Sequence, residues 1–92
     1  MEKTKEKVAR YCFEDDPYYM SRLLQSINKL QNELLEFNYG FGGDRHRIEQ
    51  NIANVLFELE ILQIQLGIKE GVECEVGNKW RNIPNYMISK RD

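Results

Sequence analysis

The sequence is poor in the residues that build metal sites, disulfides and membrane spans. It holds one histidine and two cysteines, and Cys12 and Cys74 belong to neither a CxxC motif nor a Cys/His cluster. We interpret both cysteines as free thiols, and we expect no zinc site. No apolar run approaches the ~18–20 residues of a membrane span, and the charged start MEKTKEK has no apolar segment behind it. These absences predict a cytoplasmic protein without a membrane partner.

The chain also lacks an excess of positive charge. Its net charge is −2, and acidic and basic residues alternate along its length. Because no basic stripe could follow a phosphate backbone, we do not expect a nucleic-acid polymer as partner. The composition, 41% hydrophobic and 30% charged, is typical of a folded globular chain.

The length predicts one domain that needs a partner copy. A chain of 92 residues buries only roughly 60–65% of its unfolded surface, so it is marginally stable alone. We therefore expect a homo-oligomer.

Apolar residues recur every three or four positions, which indicates amphipathic helices. We predict an all-α fold in a single domain, with helices over 2–13, about 17–37, 44–66 and about 70–81. Asp16 (with Pro17 at the first helical position) and Asp44 are predicted N-caps, and Gly67 is a predicted C-terminal stop.

Glycine and proline residues predict further loops and helix breaks. Glycines 40, 42 and 43 indicate a loop between the two long helices, while Gly71 and Gly77 predict interruptions of the last helix. Pro84 is predicted to end regular structure. We find no internal repeat in the sequence read by itself.

The third segment has an apolar stripe that is wide as well as long, and a helix apolar on more than one side is usually covered on more than one side. We predict a four-helix bundle-type domain that assembles as a dimer or a tetramer.

Two stretches carry a resemblance to a known family. Residues 23–32 read LLQSINKLQN, and residues 44–56 read DRHRIEQNIANVL, of which IANVL at 52–56 is the most specific part. They resemble the two halves of the signature of the MazG-like all-α nucleotide pyrophosphohydrolases, in their short phage-borne form. The resemblance covers roughly residues 18–82. It implies a helical bundle in which glutamates of two facing helices hold magnesium, the hard cation that bridges substrate phosphates.

The positions that match the family's carboxylates depart from its pattern. Asn28, Lys29 and Asn32 stand where the first half has glutamates, and Asn51 and Asn54 replace a glutamate and an aspartate of the second half. An amide is a weak magnesium ligand and an ammonium is none. We therefore expect no catalytic residue, no metal and no cofactor.

The replacements remain polar and lie on matching helix faces, which favours a rebuilt binding site. We predict that the protein binds or sequesters a nucleotide-like small molecule, as a phage counter-defence protein would in the host cytoplasm. The predicted ligand-binding residues are the five replacements, Arg45 and Arg47 near the mouth, and Tyr39 or Trp80 as stacking partners: Asn28, Lys29, Asn32, Asn51, Asn54, Arg45, Arg47, Tyr39 and Trp80.

Three alternatives remain open. The asparagines are an ordinary solvated face in the first. In the second, the fold is a helical scaffold or inhibitor that docks on a protein partner, such as a host protein. In the third, the register is shifted and other acids hold magnesium in an active hydrolase: Glu33, Glu36, Glu49 and Glu58. Against this shift, Leu34 and Phe37 are expected in the core.

Overall fold

The computed structural model describes residues 2–40 and 44–89, and these ranges contain helices and turns without a strand. Residues 41–43 of the predicted loop lie outside them. The helices are α1 (Glu2–Glu14), α2 (Tyr19–Asn38), α3 (Arg45–Leu66), α4 (Lys69–Arg81) and α5 (Asn85–Ser89). The predicted all-α class is confirmed.

Both ends of α3 follow from local chemistry. The Asp44 carboxylate accepts the backbone N–H of His46 at 2.9 Å, as an N-cap does. At the other end Gly67 has a φ of 67°, while its N–H donates to the Ile64 carbonyl and that of Ile68 to the Gln63 carbonyl. This pair of bonds is a Schellman motif, which needs the left-handed conformation that glycine adopts without strain.

The start of α2 differs from the prediction. Asp16 closes a turn before the helix, because its Oδ1 accepts the N–H of Tyr18 at 2.9 Å. The first helical residue is therefore Tyr19, and Pro17 lies within the turn instead of opening the helix.

Two predictions about the C-terminal segment are wrong. Helix α4 continues through Gly71 and Gly77, since a glycine costs a helix only about 1 kcal/mol and does not break it. Regular structure also continues after Pro84, whose carbonyl accepts the N–H of Met87 at 3.0 Å. A proline at a helix start loses no helical hydrogen bond, so it begins α5 instead of ending the fold.

Helix α3 is the centre of the packing. Helix α2 runs antiparallel to it, and α1 packs on α3 at the end where Tyr19 lies. The buried apolar side chains are few: Ala9, Cys12, Tyr19, Leu23 and Ile61. The rings of Phe13 and Tyr19, 5.3 Å apart, close the junction between α1 and α2.

The single chain is elongated. Its radius of gyration is 16.7 Å, where a compact domain of this length has about 12 Å. None of the residues of α4 is buried within the described structure. One copy therefore does not close a four-helix bundle. None of the described helices has both the length and the apolar composition of a bilayer-crossing segment.

Gly67 and Gly71 differ in backbone conformation, so substitutions at these two positions test the end of α3 and the continuity of α4. Gly67→Ala forces a side chain into the left-handed region and should lower the free energy of unfolding by about 1 kcal/mol. Gly71→Ala, at a helical position with open space around it, should raise it by about 0.5–1 kcal/mol. Urea unfolding at one fixed protein concentration measures both, and equal signs would contradict the assigned conformations.

Candidate functional site

A polar cavity of about 360 Å³ lies between α2 and α3, near the loop that joins them. Helical spacing aligns one side of each helix there, and seven polar side chains line the space: Lys29, Asn32, Glu33, Glu36, Arg47, Gln50 and Asn51. The lining contains two bases, two acids and three amides. Such a set donates and accepts hydrogen bonds with little net charge.

The cavity brings together four of the nine predicted ligand-binding residues. Lys29 and Asn32 enter from α2, and Arg47 and Asn51 enter from α3. The other five do not line it, and all are exposed: Asn28, Asn54, Arg45, Tyr39 and Trp80. Tyr39 is the C-cap of α2, and Trp80 belongs to α4, so these aromatic side chains come from different parts of the fold.

Glu33 is the residue of the cavity that the matched motif did not contain. It is 4% exposed, its Oε2 lies 3.5 Å from Nη2 of Arg47, and its Oε1 has no hydrogen-bond partner among the described residues. A buried polar atom without a partner costs about 1–3 kcal/mol. Oε2 of Glu58 also lacks a partner among the described residues, so an unpartnered oxygen is common to both buried acids and does not by itself mark a ligand site.

The prediction that Leu34 and Phe37 lie in the core is wrong. Leu34 and Phe37 are 44% and 49% exposed, and Glu33 takes the buried position instead. The shifted set of acids is nevertheless divided, because Glu33 and Glu36 line the cavity while Glu58 is buried at the other end of the helix pair. Within residues 2–40 and 44–89, no three histidine, cysteine or acidic side chains are grouped so that they could hold a metal ion.

The second buried acid, Glu58, lies at the end of the α2–α3 pair that is far from the cavity. We call this end, which α1 covers, the closed end, and the end with the cavity the open end. Its Oε1 accepts from Nε of Arg22 at 3.0 Å, and Nη1 of Arg22 donates to Oδ2 of Asp16 at 2.6 Å. These bonds lower the pKa of Asp16 and raise the pKa of Arg22. The Tyr19 hydroxyl donates to the Glu58 carbonyl, so α1 and the start of α2 cover this end.

The two Arg–Glu pairs expose a repeat that the sequence reading missed. Residues 22–34 read RLLQSINKLQNEL and residues 47–59 read RIEQNIANVLFEL, with arginine first and glutamate next to last in both. Each arginine pairs with the glutamate of the other helix, Arg22 with Glu58 and Arg47 with Glu33. The pair of helices thus has an approximate two-fold axis between the two ion pairs. The repeat is short and interrupted by unlike residues, and the cross-helix pairing makes it recognisable.

The side of the α2–α3 pair opposite the cavity is apolar. Leu24 and Leu56 are 64% and 62% exposed. At 3.6 residues per turn, they share this side with three further exposed residues: Ile27, Leu34 and Ile52. We call these five residues the apolar face. A cluster of exposed apolar side chains of this kind is typical of an interaction surface.

A second cavity, of about 230 Å³, lies between α1 and α3 and is lined mainly by apolar groups: Thr4, Lys5, Val8, Phe57, Glu60, Ile61 and Ile64. Glu60 accepts from Lys5 at 3.0 Å and from Lys69 at 3.2 Å at its rim. Because no side-chain N or O atom on this lining is buried without a partner among the described residues, we interpret the cavity as imperfect packing of α1 on α3.

Comparisons with known protein families, curated proteins and solved structures give no match for this chain.

The Asp16–Arg22 bond predicts an acid-sensitive junction. The pKa of Asp16 is depressed in the folded protein, so the bond stabilises above pH about 4, the unfolded value, and this contribution is lost as pH falls through the lower folded value. Thermal unfolding of Asp16→Asn should show a lower Tm than the unchanged protein at pH 7, with a smaller difference at pH 3. An equal deficit at both values would mean that the carboxylate charge has no part in the junction.

Proposed function

We propose that this protein is a metal-free binding module for a nucleotide-like small molecule, a degenerate relative of the MazG-like pyrophosphohydrolases that works in the cytoplasm, or in the host cytoplasm if a phage encodes it. The observation that carries the proposal is the cavity, where Lys29, Arg47, Asn32 and Asn51 meet over the buried Glu33. Its volume falls within the ~300–1,000 Å³ range of small-molecule sites.

The residues that line the cavity offer a charged or hydrogen-bonding group for the phosphate, the ribose and the base of a nucleotide. The ammonium of Lys29 and the guanidinium of Arg47 suit phosphate oxygens, and charge-assisted bonds of this kind are roughly twice as strong as neutral ones. The amides of Asn32, Gln50 and Asn51 both donate and accept, so they match a ribose or the edge of a base. Glu33 Oε1 needs a donor, which a base amino group provides.

The same lining does not suit magnesium, so we propose that the protein is not an enzyme of the related kind. The cavity has two carboxylates, and the guanidinium of Arg47 lies 3.5 Å from one of them, where it competes with a cation. Magnesium at a nucleotide site needs carboxylate ligands in near-ideal octahedral geometry. Lys29 and Arg47 supply cationic donors for a phosphate without a metal, while Glu33 and Glu36 balance their charge.

Reversing the charge at Lys29 tests the proposal. Lys29→Glu should abolish binding of an anionic nucleotide such as AMP or GMP, while Lys79→Glu, the same change on α4 outside the cavity, should have a smaller effect. Calorimetry measures both, and mass spectrometry of small molecules released on denaturation identifies a co-purified ligand. Equal behaviour of the two variants, or pyrophosphate release from a nucleoside triphosphate with magnesium, would contradict it.

We also propose that a second copy covers the apolar face. Four apolar stripes, two from each copy, would complete the four-helix bundle that one chain leaves open. Burial of a fully exposed leucine side chain is worth about 1.5–3 kcal/mol. The five side chains are 41–64% exposed in one copy, so a second copy would gain part of this free energy at each of them, and this favours assembly as a dimer or a tetramer.

Charge placed on the apolar face tests this assembly. Leu24→Glu and Leu56→Glu should each shift the mass measured by light scattering towards the single chain. Asn54→Glu puts the same charge on an exposed position of α3 that lies on the opposite side of this helix from Leu56 and does not line the cavity, so it should leave the mass unchanged. A monomeric unchanged protein at high concentration would refute the proposal.

A protein-docking scaffold is the second candidate, and α4 favours it. This helix has no buried residue in the described structure, and Val76 and Trp80 are exposed on it. Such a helix suits the groove of a protein partner. Under this reading, the Lys29 and Lys79 variants would bind nucleotide equally weakly.

A further inference from the structure

The two Arg–Glu pairs are related by the approximate two-fold axis, but only one of the two arginines contacts a second carboxylate among the described residues. At the closed end Arg22 binds two carboxylates: Nε contacts Glu58 at 3.0 Å, and Nη1 contacts Asp16 at 2.6 Å. Both acids are largely buried there. The guanidinium therefore uses two of its edges, which is the geometry that this planar group favours.

At the open end the equivalent arginine has one carboxylate among the described residues. Arg47 lies 3.5 Å from Glu33, and its side chain is 63% exposed against 42% for Arg22. Asp16 precedes Arg22 by six residues, and at the same spacing before Arg47 the sequence has Phe41, which carries no acid. Within residues 2–40 and 44–89, the half-site at Arg47 thus lacks the second carboxylate contact of its counterpart, and Glu36 lines the same cavity without pairing with Arg47.

We propose that Arg47 anchors a phosphate group of the ligand, which takes the place that Asp16 takes at Arg22. This inference rests on the proposed function and deepens it, because it assigns the main phosphate contact to Arg47, one of the two bases that line the cavity. Glu33 acts through Arg47 as a positioning residue, because it fixes one end of the guanidinium and leaves the rest directed to the cavity. Lys29 on the facing helix adds a second cationic donor beside the acids Glu33 and Glu36. A phosphate has more acceptor oxygens than a carboxylate, so it is better suited to contact two such donors.

The closed end serves as an internal reference for this assignment. The chain supplies its own carboxylate to Arg22, so an added anion finds that arginine already engaged. An anion in solution should therefore affect the two arginines differently, although both have a glutamate beside them. A site of loosely attracted counterions would treat exposed arginines alike.

Inorganic phosphate is the probe, and the side-chain Nε–H signals of the arginines in a ¹⁵N-correlated NMR spectrum are the readout. Phosphate should shift the Arg47 signal along a saturating curve and leave the Arg22 signal in place. Acetate should bind at least several-fold more weakly, and chloride at equal ionic strength should cause no saturating shift. A linear or equal response of Arg45 and Arg47 would mean an adventitious ion only and would overturn the inference.

A pair of charge-matched variants completes the experiment. Arg47→Gln and Arg45→Gln remove the same charge two residues apart on α3, and Arg45 does not line the cavity. Arg47→Gln should weaken binding of phosphate and of AMP or GMP about tenfold or more, as the loss of a charge-assisted contact does, while Arg45→Gln should change either by less than about twofold.

The outcomes separate this inference from the proposed function. If nucleotides bind and depend on Lys29, but Arg47→Gln behaves like Arg45→Gln, the binding module stands and the anchor is wrong. If phosphate saturates at Arg47 but no nucleotide binds, the anchor stands and the nucleotide assignment falls. If neither binds, both are refuted.

Discussion

The burial of two carboxylates between α2 and α3 is the constraint on which the rest of the structure depends. Glu33 and Glu58 are the buried charged residues of the described chain, and each pairs with an arginine of the opposite helix. Such pairs add little net stability, because desolvation offsets their attraction, but a slipped partner would leave a buried charge uncompensated. They therefore fix how the two helices align, and with this alignment they fix which side chains share the cavity.

The same alignment explains why the apolar core is so small. Because acids and arginines occupy part of the α2–α3 contact, several leucines and isoleucines of these helices lie on the other side. The few buried apolar residues cluster where α1 covers the closed end. This small core and the elongated shape of the chain are the observations behind the proposed assembly.

The approximate two-fold relation gives the two ends of the helix pair different roles from similar sequences. At Arg22 the chain closes over the ion pair with α1, Tyr19 and Asp16, and the result is a structural junction. At Arg47 no described element covers the equivalent pair, and the cavity remains open. The difference between a junction and a candidate binding site thus depends on whether an additional helix is present.

The sequence by itself determined the helices and most of their ends. The apolar period, Asp44 and Gly67 act through contacts within a few residues, so local physics was sufficient to predict them. It also indicated that Lys29, Asn32, Asn51 and Arg47 belong together, because the resemblance paired their two helices. The sequence did not predict the short α5 and the uninterrupted α4, because proline and glycine often end a helix but do not always do so.

Only the tertiary structure decided which face of α2 meets α3. Apolar period predicted Leu34 and Phe37 in the core, but the cross-helix ion pairs rotate Glu33 into the contact and expose both apolar side chains. The sequence could not show this, because the cost of an exposed leucine depends on what else covers it. Long-range packing likewise decides which side chains line the cavity. It excludes Asn28, Asn54 and Trp80 and places Glu33 there, and no local sequence pattern could have shown this.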